Sequence, residues 1–198
     1  MWLLEDRDPT LFYSAAIISE FLIVLNPSTE ISDDVSEFKN LLKNRFGRFE
    51  SMYSKAHFTL ANLLCNEDQE KKLIPIFENL KKTLKPFDVQ LNNIESFKYS
   101  GTIYINPLNK ESIYSLSKTI YKELLLNGFS KKNLIIPKTP HLTIARKLNK
   151  IQFDLALQEF KKIAYKKAFI AKEITILKRN KEKKYEVYHT TKFQCATL

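Results

Sequence analysis

Landmarks in this chain recur at a nearly constant spacing, and that recurrence limits the folds open to it more than any other feature. Leu25-Asn26-Pro27 is answered by Ile105-Asn106-Pro107, His57 by His141, and Phe87 by Phe169, at offsets of 80, 84 and 82 residues. One such match carries no weight, but three at nearly one offset argue for an internal duplication with two copies, too few for a solenoid. A chain of 198 residues holds one domain or two small packed lobes. We read it as a single domain over 1–198, with approximate halves 13–100 and 101–198 and an N-terminal arm over 1–12.

Local patterns fill in each half. In the first, Ile18 to Asn26 is a β-rich apolar run stopped by Pro27, hence a strand. Candidate N-caps between Ser28 and Asp34 lead into Val35, Phe38, Leu41, Leu42 and Arg45 at helical spacing, and Gly47 fits the stop. Lys55 to Leu64 returns to a strand pattern. A second helix begins near Glu67 and runs to about Leu84, with Pro75 expected to kink it or delay its start. Strands over Phe87 to Tyr99 and Gly101 to Asn106 follow. In the second half, a helix covers Lys110 to Leu126, ending at Asn127-Gly128. A strand covers His141 to Lys147 and a helix about Ile151 to Tyr165. Two last strands, Ala168 to Lys178 and Lys184 to Phe193, are joined by the basic turn Lys178-Arg179-Asn180-Lys181. The expected fold is α+β: a bilobal, pseudo-two-fold duplication of two antiparallel sheets flanked by helices, with a central groove.

Composition removes several classes of function. Lys and Arg outnumber Asp and Glu by 32 to 22, a net charge of +10 that favours anionic partners and steers them from a distance. The three glycines (Gly47, Gly101, Gly128) stand apart, so no phosphate-cradling glycine loop or dinucleotide fingerprint exists. Cys65 and Cys195 are too few for a disulfide framework and lack metal-ligand spacing, which fits free thiols in a reducing compartment. The acidic start Met1-Trp2-Leu3-Leu4-Glu5-Asp6 is unlike a secretory signal. The apolar stretch Leu11 to Leu25 is short and broken by Ser14, Ser19 and Glu20. A cytoplasmic monomer without a membrane partner is the expectation.

Chemistry gathers at the histidines, of which there are three. His57-Phe58-Thr59-Leu60 and His141-Leu142-Thr143-Ile144 share the pattern His, apolar, Thr, apolar, at equivalent points of the two halves. On a strand, His57 and Thr59 share one face while Phe58 and Leu60 anchor in a core, and His141 and Thr143 do likewise. Packing the halves about a pseudo-two-fold axis brings two imidazoles and two hydroxyls to one cleft. Phosphodiester hydrolysis needs a base for water and an acid for the leaving oxygen, and two imidazoles near neutral pKa fill both roles without a metal. The threonine hydroxyls suit the non-bridging phosphate oxygens.

These paired tetrads, their separation and the order of elements resemble the two-histidine phosphoesterase superfamily, which includes RNA 2′,3′-cyclic phosphodiesterases and 2′-5′ RNA ligases. The match is best over Pro140-His141-Leu142-Thr143-Ile144-Ala145-Arg146. The resemblance implies a bilobal fold with the site in the groove, no cofactor, and opening of 2′,3′-cyclic phosphates on RNA termini or small nucleotides. Some members also join RNA ends. It implies His57 and His141 as catalytic acid and base, with His57 protonating the leaving oxygen, Thr59 and Thr143 binding phosphate, and Arg146 adding a phosphate contact. Strict alternation places Arg146 on the face opposite His141, so its role requires the strand to twist or end there.

Other features read as bland. His189-Thr190-Thr191 has a threonine in place, but Lys192 stands where an apolar anchor belongs and no second tetrad pairs with it. The lysine-rich turns read as solvated faces, and Tyr53, Tyr104 and Tyr188 as core or rim packing sooner than base-stacking residues. Arg48 to Tyr53 and Ser130 to Thr139 are the expected groove rims. Two further readings stay open: a phosphodiesterase on another nucleotide-derived phosphoester (a 2′-5′ linkage or a cyclic nucleotide), and a non-catalytic RNA- or nucleotide-binding relative.

Overall fold

β-branched and aromatic residues crowd Ser19–Leu25, and this run forms β1, buried along almost its whole length. The computed structural model describes residues 18–179 and 184–194. The N-terminal arm, most of the basic turn after Arg179, and Cys195 lie outside the described residues. Ser28 caps α1 (Thr29–Phe46), and Gly47 ends it at φ 81, a left-handed φ that glycine adopts without a Cβ clash. After β2 (Phe58–Cys65) comes α2 (Glu67–Leu80). Pro75 neither delays nor ends α2, because a reciprocal cap fixes the start: Asn66 accepts from the Gln69 N–H (2.9 Å), and Gln69 accepts from the Asn66 N–H (3.3 Å).

The chain continues through β3 (Phe87–Phe97), β4 (Thr102–Pro107) and α3 (Lys110–Leu126), then the two-residue β5 (Leu134–Ile135) and β6 (Leu142–Ala145). Helix α4 (Lys150–Phe160) starts with the same reciprocal cap, here Asn149 and Gln152, another landmark of the duplication. The strand expected over Ala168 to Lys178 is two strands, β7 (Lys166–Ala171) and β8 (Glu173–Arg179), broken at Lys172; β9 is Glu186–Lys192. Sequence patterning misses that break because both pieces are half-apolar and no Gly or Pro separates them.

All strands join one antiparallel sheet in the order β7-β3-β4-β6-β2-β1-β8-β9, with β5 added beside β2. The α+β, antiparallel, two-fold character expected from the sequence is present, but the two expected sheets are wings of one, joined where Phe58 of β2 pairs with Leu142 of β6. The order reads symmetrically outward from that joint. Each half of the chain gives two central strands to its own wing and the next strand outward, β3 or β8, to the other, while β7 and β9, both from the second half, form the two edges. The wings therefore mix both halves of the sequence, and α1 correspondingly lies against β6 while α3 lies against β2.

The single residue between β7 and β8 forces the shape. Those strands lie six positions apart in the sheet, yet one residue spans only about 7 Å between the flanking Cα atoms, so the sheet must curl until its wings approach. Phe58 of β2 stacks on Phe169 of β7 with ring centroids 6.2 Å apart, and Phe87 on Phe193 at 6.5 Å, which ties the wings through the core. One further close approach needs a glycine. Gly101, at φ 56, lies against the Leu148 backbone, and a Cβ there would collide with the Leu148 carbonyl. That contact seats the segment leaving β6, including Arg146, beside the start of β4.

Candidate active site

The curled sheet encloses a cleft of about 740 Å³ lined by His57, Thr59, His141, Thr143 and Arg146, the five residues singled out in the sequence. Register explains the convergence. Phe58 pairs with Leu142 in an antiparallel arrangement, so one step either way sets His57 across from Thr143 and Thr59 across from His141. Phe58 and Leu142 are fully buried, while the four polar side chains are half-buried on the opposite face.

Each imidazole is held alike. His57 Nδ1 lies 2.8 Å from the carbonyl oxygen of Lys55, and His141 Nδ1 lies 2.9 Å from that of Thr139. A carbonyl only accepts, so Nδ1 carries the proton in both rings and Nε2 is the nitrogen left to meet a ligand.

The surroundings of the two rings then diverge. Edge-on aromatic contacts hold His141: Phe97 at 5.2 Å and Tyr104 at 5.4 Å between centroids, with the Tyr104 hydroxyl donating to Glu95 (3.0 Å). His57 faces charge instead. Burial lowers its pKa from the ordinary histidine value, the Lys55 carbonyl opposes this, and the positive charges of Lys39, Arg146 and His141 lower it further. His141 is lowered by burial, against the Thr139 carbonyl.

Lys39 is a residue the sequence reading passed over. It sits in α1 among the buried Ile31, Val35 and Leu42, and is itself 4% exposed. Its Nζ donates to the carbonyls of Ser51 (3.1 Å) and Ser54 (2.5 Å) and to the Ser54 hydroxyl (3.0 Å). A lysine on the apolar stripe of an amphipathic helix was the available signal. Burial, with Arg146 adding to it, pulls the Lys39 ammonium down to about 8.

Arg146 reaches the cleft because β6 ends at Ala145 and carries a bulge just before: Ile103 pairs with Ala145 and Tyr104 with Thr143, leaving Ile144 extra. A bulge resets alternation and re-aims the side chains beyond it. The Arg146 N–H donates to the Ser51 hydroxyl (3.1 Å), and its guanidinium pairs with Glu50 (2.9 Å). That pair is exposed and worth little against an incoming phosphate.

The remaining lining splits into two ends. Ser51, Ser54, Lys132, Asn133 and Ile135 come from the two segments expected as rims or lie directly beside them. Glu20, Arg179 and Tyr185 form the far end along β1 and β8, where Glu20 accepts from Arg179 and from the Tyr185 hydroxyl (2.5 Å), and the guanidinium lies 4.8 Å over the Tyr185 ring. Tyr53, Tyr104 and Tyr188 are not among the lining residues; Tyr185 is the tyrosine that is. His189 pairs with Glu78 (2.9 Å) away from the cleft.

A family model described as the 2′-5′ RNA ligase superfamily matches residues 27–183. The chain belongs to that superfamily. Membership supports a function of the phosphoesterase or RNA-ligase kind. Solved structures agree on the fold. E. coli LigT complexed with 3′-AMP superposes with a TM-score of 0.65 at 14% identity, over 89% of this chain and 99% of that one. TT0787 of Thermus thermophilus gives 0.62 at 15% identity, over 89% and 99%. No curated protein matches the chain in sequence. Among the described residues no helix is long and apolar enough to cross a membrane.

Proposed function

We propose that this superfamily member is a metal-independent phosphodiesterase that opens 2′,3′-cyclic phosphates of RNA ends or nucleotides, with His57 and His141 as acid and base. The observation that carries the reading is the matched pair of imidazoles, each pinned at Nδ1 by the carbonyl two residues back, in one cleft with a threonine beside each. The neutral imidazole takes a proton from water at Nε2 as the water oxygen bonds to phosphorus. The bond from phosphorus to one ribose oxygen breaks, and that oxygen takes the proton of the imidazolium, leaving a phosphomonoester. Thr59 and Thr143 hydroxyls donate to the non-bridging oxygens, where charge builds in the transition state, and Arg146 supplies a further cationic donor. Joining of RNA ends would use the same two proton transfers with an RNA 5′-hydroxyl in place of water: its oxygen bonds to phosphorus as it gives up its proton, and the displaced ribose oxygen takes the other.

A panel of 2′,3′-cyclic, 3′,5′-cyclic and 2′-5′-linked substrates, assayed with and without chelator, tests this. We expect turnover of the 2′,3′-cyclic compounds to persist in chelator. His57→Ala and His141→Ala should each lower it by about 10²–10⁴, and His189→Ala should leave it intact. Loss of activity on chelation, or an equal loss in His189→Ala, would refute the proposal.

A further inference from the structure

The two tetrads continue alike beyond their threonines. β2 runs Thr59-Leu60-Ala61-Asn62 and β6 runs Thr143-Ile144-Ala145-Arg146. The pairing slips by one residue at the same place in both. Val24 and Ile23 pair with Thr59 and Ala61, leaving Leu60 extra, just as Ile144 is extra on β6. The bulge on β2 thus returns Asn62 to the cleft side, as its counterpart does Arg146, and both line the cavity.

Under the pseudo-two-fold relation Asn62 is the counterpart of Arg146, with a neutral amide in place of a guanidinium. Its side chain is half-buried and, among the described residues, makes no hydrogen bond. Such an amide offers two donors and an acceptor, and desolvating them unpaired costs free energy. A ligand that supplies the partners gains what the protein leaves open.

The neighbours of Asn62 are apolar. It pairs across the sheet with Leu22 on one side and Ile135 on the other, and Leu64 follows two residues on. Ile135 and Leu64 are 64% and 44% exposed, and all three line the cleft. Apolar surface around one unpartnered amide suits a flat heteroaromatic ring with a polar edge and does not suit a phosphate.

We infer that Asn62 anchors a nucleoside subsite: the base rests on Leu22, Leu64 and Ile135 and its polar edge bonds to the Asn62 amide, while Arg146 serves the phosphate. This rests on the phosphodiester reading above and adds which wing holds the base. Asn62 lies three residues past Thr59, so base and phosphate of one nucleotide span the distance along the strand.

The test is Asn62→Leu, which keeps the size of the side chain and removes its hydrogen-bonding groups, with Asn62→Thr as a second, strand-compatible variant should the first fail to fold. On 2′,3′-cyclic AMP, GMP, CMP and UMP, KM should rise by up to about tenfold with kcat within about twofold. The spread of KM among the four bases should narrow, and inhibition by inorganic phosphate should be unchanged. Unaltered KM values, a fall in kcat alone, or an equal weakening of phosphate would overturn the subsite. Should no cyclic nucleotide be turned over at all, calorimetric titration with nucleoside 2′-monophosphates and with inorganic phosphate reads the same contrast. Asn62→Leu should then weaken the nucleotides alone, and equal binding by variant and parent would overturn the inference.

Discussion

Phe58 and Leu142 face each other across the joint between the two wings, and this one pair sets the spacing of the histidines and threonines on the cleft face. Both are fully buried, and Phe58 also stacks on Phe169 of the opposite wing. Phe58→Ala would leave a cavity where β2, β6 and β7 meet. We expect a loss of about 3–5 kcal/mol in denaturant unfolding, with activity falling in the fraction that stays folded because the imidazoles lose their spacing. Unchanged stability would mean the wings are held together elsewhere.

Lys39 places a fixed cation beside His57 while tying down the Ser51–Ser54 carbonyls next to it. Lys39→Met should therefore raise the His57 titration midpoint, read from histidine ring NMR, by about half a pH unit or more. Lys39→Arg should keep it close to the parent value. A His57 midpoint that stays put in Lys39→Met would reduce Lys39 to a loop tether.

Both cleft histidines have pKa values lowered in the folded state. The unfolded chain therefore binds protons first as pH falls below about 6.5, and stability declines from there until the folded-state values are passed. Urea midpoints measured from pH 7.5 to 5 should fall, and the slope should lessen in His141→Gln. Because Lys39 and Arg146 repel a proton on His57, the pair should take up its first proton at His141. That order is opposite to the one the family resemblance implies, and the same NMR titration decides between them.

Cys65 is 1% exposed, and burial, with the Glu70 carboxylate adding to it, pushes its thiol up to about 12. The thiolate is the reactive form, so a native-state thiol reagent should leave Cys65 unlabelled over hours at neutral pH. Mass mapping of the labelled peptide checks this, and rapid modification of Cys65 would mean β2 opens far more often than its burial indicates.

The tetrads, the paired helices and the duplication were legible in the sequence because each is a local pattern: period-2 alternation, helical spacing and recurrence at a fixed offset. Arg146 was legible as a candidate but not as a cleft residue, because alternation counts residues and the bulge at Ile144 breaks the count. Asn62 was hidden by the matching bulge at Leu60. The split at Lys172 went unread because β7 and β8 look like one strand until each is assigned a partner.

By itself the sequence determined which residues meet in the cleft and that they come in matched pairs, since side-chain type and strand periodicity are properties of short segments. Tertiary structure decided that β3 and β8 cross to opposite wings, that the wings fuse at Phe58 and Leu142, and that Lys39 sits beside His57. Those outcomes depend on hydrogen bonds and burial between segments far apart in the chain, where the free energy of pairing has no signature in any one stretch of sequence.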